Sequence, residues 1–171
     1  AGPNEGGGEG VAAEEPTPPP RSLLGRRFRP HDLAQTAVAF ARFGYLDEAL
    51  MGVLSSAARD QLSKFSNQEQ CNMAWSFARL YSNHSEPLFR DIAVSLKPKL
   101  KELKTQELAN LAWSFVVMEV YDEGFLTSVF FEAGRRDPNT LADEELRQFH
   151  QALEGLRAAR PWAARRVGGR G

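Results

Sequence analysis

Large apolar residues return along this chain at a near-constant interval. Phe28, Phe65, Leu103 and Leu141 stand 37, 38 and 38 residues apart. The same step carries Ala37 to Ala74, Ala112 and His150, and Phe40 to Phe77, Phe115 and Leu153. Within one interval the spacing is helical: Leu108, Leu111, Ala112, Phe115 and Met118 follow the i, i+3, i+4, i+7 rule for one face of an amphipathic helix. This first helix of each unit is expected to be capped by Asn67, Thr105 and Asp143, with Glu69, Glu107 and the pair Glu144 and Glu145 at the positive end of its dipole. Pro30 takes the corresponding first turn in the first unit. A second helix follows a short turn and is expected over 45–59, about 86–96 and about 123–134. Pro87 suits its start, and Pro98 ends it, because a helix interior cannot absorb the missing N–H and the ring clash. Nothing reads as a strand. The pattern predicts an all-α chain built as an α-solenoid of helix-turn-helix repeats.

The polar positions repeat as well. Residues 68–77 and 106–115 share seven of ten identities at an offset of 38. A period between 20 and 50 residues signals stacked supersecondary units, none of which covers its own apolar face alone. Three full units are expected at 28–64, 65–102 and 103–140, with a degenerate or truncated fourth at 141–156. The flanks differ in composition. The first 20 residues hold five Gly, five Pro and four Glu with no Lys or Arg, so 1–27 is expected to be a disordered lead. Residues 157–171 form a basic Arg/Gly tail, faintly RGG-like at its end.

Charge narrows the function little. Net charge is −1, and residues 21–171 carry 21 basic against 18 acidic groups, a mild excess that permits nucleic-acid binding without indicating it. The single cysteine, Cys71, excludes an internal disulfide framework and fits a reducing or organellar compartment. It stands in the column of Ala34 and Ala109, which marks it as a small core residue. No run of 18 apolar residues exists. His31, His84 and His150 lack partners at metal-ligand spacing, the Gly-rich run at 6–10 follows no strand, and no nucleophile is paired with a base. No metal, cofactor or catalytic activity is therefore expected.

At 100° per residue, the side of the first helix away from the Leu-Phe stripe carries Gln106, Asn110, Trp113, Ser114 and Val117. Its counterparts are Gln68, Asn72, Trp75, Ser76 and Arg79, then His31, Gln35, Val38, Ala39 and Arg42, then Glu144, Gln148, Gln151 and Ala152. Amides bond base edges in either direction and aromatic rings stack on bases of any sequence, which suits single-stranded RNA. A column that stays amide at Gln35, Asn72, Asn110 and Gln148 serves equally to tie neighbouring units together, and the tryptophans serve equally as packing between them. Lys97, Lys99, Lys101 and Lys104, with Arg135 and Arg136, gather at turns between units, either as phosphate contacts or as solvated turns.

The phrase Gln-Glu-Leu-Ala-Asn-Leu-Ala-Trp-Ser-Phe at 106–115, its echo at 68–77 and the 38-residue step resemble the octotricopeptide-repeat proteins of algal organelles. They also resemble the related FAST-kinase-like, RAP-domain and RNA-editing substrate-binding helical-repeat proteins. The likeness spans about 28–156 and departs at Val38, where Trp is expected, and in the fourth unit. It implies helical-repeat binding of organellar RNA in mitochondria or chloroplasts, in RNA processing, mRNA stability, rRNA maturation or translation, without kinase activity. The competing expectation is a protein-interaction scaffold that binds no RNA.

Overall fold

A computed structural model describes residues 28–167, with the backbone alone over 160–167. The lead at 1–27 and the end of the tail at 168–171 lie outside the described residues. Seven α-helices and no strand occur among the described residues: α1 (Pro30–Phe43), α2 (Glu48–Arg59), α3 (Asn67–Leu80), α4 (Glu86–Leu96), α5 (Thr105–Val117), α6 (Glu123–Ala133) and α7 (Asp143–Val167). Short 3-10 turns at Leu62–Lys64, Lys97–Glu102 and Pro138–Thr140 precede α3, α5 and α7. Pro98 falls in the second of these turns, two residues beyond the end of α4.

Helices α1, α3, α5 and α7 pack side by side in chain order, α3 between α1 and α5, and α5 between α3 and α7. Helices α2, α4 and α6 lie behind this row. The apolar stripes of α1, α3 and α5 are buried against them, with Phe77, Phe115, Ala37, Ala74 and Ala112 wholly enclosed, whereas Leu146 and Leu153 of α7 are exposed. Phe115 joins two successive second helices: its ring lies 4.9 Å from Phe89 on α4 and 4.7 Å from Phe125 on α6, both tilted as aromatic quadrupoles prefer. Cys71, Ala34 and Ala109 are all fully buried in the same column. Polar clamps tie the layer behind. Glu48 accepts from Ser82 Oγ at 2.8 Å and from the Asn83 backbone N–H at 3.1 Å, and Arg59 pairs with Asp91 at 2.6 Å.

Helix starts fall one residue earlier than expected. Asn67, Thr105 and Asp143 are the first helical residues, and the caps are the residues before them. An acid three residues on decides the position. Asp32, Glu69, Glu107 and Glu145 accept from the backbone N–H of Arg29, Ser66, Lys104 and Ala142 at 3.1, 2.8, 2.7 and 2.9 Å, each satisfying a donor the helix leaves orphaned. At Ser66 the bond is reciprocal, since the Glu69 N–H donates to Ser66 Oγ at 3.2 Å. The ends repeat too. Gly44, Tyr81 and Glu119 adopt left-handed φ of 67°, 56° and 55°. The next N–H in each case, of Tyr45, Ser82 and Val120, reaches back to Phe40, Phe77 and Phe115 O in a Schellman closure.

Two boundaries differ from expectation. Helix α2 begins at Glu48 and not at residue 45, because Tyr45 is used in the closure of α1 and Asp47 caps α2 by accepting from Leu50 N–H at 3.0 Å. Helix α7 runs through the boundary expected after residue 156 and continues to Val167, so the fourth unit contributes one long helix.

Candidate nucleic-acid interface

All four row helices border one open groove of about 390 Å³, with Gln68, Gln106 and Glu144 from first turns, the amides at 35, 72, 110 and 148 from second turns, and Val38, Trp75 and Arg42 from further along. Because residues early in every row helix meet there, the four helices run in the same direction. The groove collects the expected columns: Gln35, Asn72, Asn110 and Gln148, then Gln68, Gln106 and Glu144, then Val38 and Trp75, with Arg42 at one end. Trp75 is half-buried, packed against the core and bordering the groove. Trp113 is also half-buried against the core but does not border this groove, so it acts as packing. Arg79 is exposed one turn beyond Trp75.

Half of the amide column is already engaged. Asn110 Oδ1 accepts from Gln106 Nε2 at 3.1 Å and from Gln148 Nε2 at 3.0 Å, and Gln148 Oε1 accepts from Gln106 at 2.9 Å. The three side chains close a network between α5 and α7. Gln35, Gln68 and Asn72 take no part in it, and Gln35 and Gln68 are exposed. The amides therefore divide into a bonded set at the α5–α7 end and an available set at the α1–α3 end. On the same face His31 Nδ1 stands 3.5 Å from Glu69 Oε1.

Three groups of expected site residues lie elsewhere. Ser76 and Ser114 are wholly buried and do not reach the groove. Ser76 Oγ donates to the Asn72 carbonyl at 2.7 Å, while Ser114 Oγ is enclosed without a hydrogen-bond partner. Ala152, expected outward in the same column, is buried too. The reason is that a row helix packed on both flanks leaves only a narrow strip to solvent, and these positions lie one helical step off that strip. Lys97 and Lys101 line a separate cleft of about 330 Å³ with Pro98, Ser128, Phe131 and Glu132, sharing no residue with the groove. Lys99 is half-buried, and Lys104 is the exposed cap of α5. Arg136 is structural: its guanidinium donates to the carbonyls of Leu103 at 2.8 Å and Lys101 at 3.3 Å, and Arg135 stands over the Phe131 ring at 5.9 Å.

What sequence reasoning missed is the balance of charge at the groove. Arg42 and Glu144 border it together, and the lysine cluster does not. Among the described residues no group of His, Cys, Asp and Glu is placed to hold a metal ion, and no helix is long and apolar enough to cross a membrane. The sequence matches no family model and no curated protein.

Proposed function

We propose that this chain is an octotricopeptide-like α-solenoid of 37–38-residue units that binds single-stranded RNA along the row of α1, α3, α5 and α7 and acts in organellar RNA processing, stability or translation. One observation carries the reading: amides at two recurring heights converge with Trp75 and Arg42 on one continuous groove. Amide edges discriminate bases, an indole offers a stacking surface, and a lining rich in amides does not suit a purely apolar ligand. The bonded amides at Gln106, Asn110 and Gln148 fix the end of the groove, and Gln35, Gln68 and Asn72 do the reading. No catalytic step belongs to this reading.

The balanced charge of the groove supports a second reading, an extended polypeptide whose backbone the same amides bond. Salt titration separates the two. Fluorescence anisotropy of labelled single-stranded RNA should show affinity falling with log salt by roughly 0.7 per phosphate contact. With Arg42 and Arg79 as the contacts, the slope should be shallow, roughly −1 to −2. Absence of RNA binding even at low salt would remove the RNA reading and leave the polypeptide.

A further inference from the structure

All three tyrosines of this sequence stand within four residues of the end of a row helix: Tyr45 two residues past α1, Tyr81 directly after α3 and Tyr121 four residues past α5. Tyr45 follows Gly44 at the end of α1, Tyr81 is itself the left-handed residue that ends α3, and Tyr121 follows the closure of α5. They are 61%, 60% and 37% exposed. Since the row helices run in the same direction and pack side by side, the C-terminal ends of α1, α3 and α5, each followed by a tyrosine, fall along one edge of the molecule. Packing between adjacent helices spaces such positions by roughly 8–10 Å. Tyr81 lies close enough to Tyr121 to add to the upward push that burial, first, and the Glu119 carboxylate, second, exert on the Tyr121 phenol.

Tyr81 is informative because of its backbone. The first unit puts glycine at the equivalent left-handed position, Gly44, where no Cβ resists it. The second unit puts an exposed aromatic there at φ 56°, a conformation that L side chains resist and that the solvent-facing ring does not offset by packing. Arg42 and Arg79 stand two residues before Gly44 and Tyr81, both exposed, and Arg42 also borders the amide groove. The arginines thus form a line between two surfaces: amides and Trp75 towards the helix N-termini, tyrosine rings towards the C-termini. In the third unit Val117 replaces the arginine and Glu119 stands beside the ring, so that unit offers a ring without a phosphate contact. There Tyr121 opens into a cleft of about 480 Å³ bordered by Val117, Gln151 and Gly155.

Building on the RNA reading of the groove, we propose that this edge is a stacking platform for single-stranded RNA, with Tyr45, Tyr81 and Tyr121 each holding one base and Arg42 and Arg79 holding the intervening phosphates. Bases turned one way from the arginine line meet the amides, and bases turned the other way meet the rings. Stacking on tyrosine is tolerant of sequence, so the edge supplies affinity while the groove supplies selection.

The test uses the full chain, fluorescein-labelled oligouridylate and oligoadenylate, and the variants Tyr81→Gly and Tyr81→Phe. Tyr81→Gly removes the ring and suits the left-handed backbone, so the variant folds. It should weaken both homopolymers by roughly 5- to 100-fold without changing which one binds better. Tyr81→Phe keeps the ring and should bind as the parent does. Photocrosslinking with 5-iodouridine oligonucleotide should mark Tyr81 or Tyr121. Unchanged affinity of Tyr81→Gly, with crosslinks confined to Trp75, overturns the edge and leaves the groove reading standing. Absence of RNA binding by the parent protein overturns both.

Discussion

Gln148 Nε2 donates to Asn110 Oδ1 at 3.0 Å, joining two residues 38 positions apart on adjacent helices. The bond uses the Asn110 oxygen as acceptor, and Gln106 uses the same oxygen from its own helix. An aspartate at this site keeps that oxygen. Asn110→Asp should therefore fold with nearly the parent stability and leave RNA preference little changed, whereas Asn72→Asp, which alters an amide outside this network, should shift preference among homopolymers and weaken binding. Competition binding with the four homopolymers, run beside denaturant unfolding, checks both. Equal shifts in the two variants would show that bonded and available amides read alike.

Gly155 lets α7 approach α5. A Cβ at this position would lie 2.4 Å from Val116 Cγ1, and a β-branched side chain on a helix has little freedom to turn away. Gly155→Ala should cost about 1–3 kcal/mol despite the better helix propensity of alanine. The double variant Gly155→Ala with Val116→Ala should recover part of that loss, and urea unfolding of the four-member cycle measures the coupling. Additive losses would mean that the contact is relieved by other movement.

Phe115 touches an aromatic ring in each of two successive second helices, and Phe77 is equally enclosed. Truncating either to Ala should cost about 3–5 kcal/mol. A row of so few units has little stability in reserve, so thermal unfolding should show a large fall or loss of the cooperative transition. Unfolding at the parent temperature in both variants would contradict the assignment of the buried face.

Cys71 is enclosed, and burial, aided by the Glu107 carboxylate, pushes its thiol far above the ordinary range. The folded chain keeps the thiol protonated in conditions where the unfolded chain ionises it, at about 8.5 and above. Folding stability should hold below that value and decline as pH rises through the alkaline range, and Cys71→Ala should lessen the decline. In the native state the thiol should resist iodoacetamide, with labelling that follows the rate of opening. Rapid native-state labelling would show that the α3 face is open.

The helical architecture was legible because apolar side chains recur in columns: Phe77, Phe115 and the alanines at 37, 74 and 112 are all buried. The groove was legible at Gln35, Asn72, Gln68 and Trp75 for the same reason. Ser76 and Ser114 were misplaced because a helical wheel separates a buried face from an exposed one but says nothing of flanks, and here both flanks are covered by neighbouring helices. The caps were misread by one residue because the deciding group is the acid at the third helical position, which bonds backwards to a residue as unsuited to capping as Lys104. The lysine cluster divided from the amides because a 3-10 turn carries Lys97 and Lys101 behind the row. Tyr45, Tyr81 and Tyr121 are 36 and 40 residues apart and share no column, so the recurrence of a tyrosine after α1, α3 and α5 shows only once the helix ends are known.

The acids that open α1, α3, α5 and α7 and the left-handed residues that close α1, α3 and α5 have a consequence for inheritance. Each of these helices pairs a backbone donor at its start with an acid of its own first turn, and α1, α3 and α5 close their last carbonyls on the residues that follow them in sequence. A duplicated or deleted segment of 37 or 38 residues would carry this punctuation with it, so the same end groups stay paired at the joint. What a new neighbour must supply is only a complementary side-chain surface, so the length of such a row can drift by recombination of whole segments while the backbone of every segment stays intact.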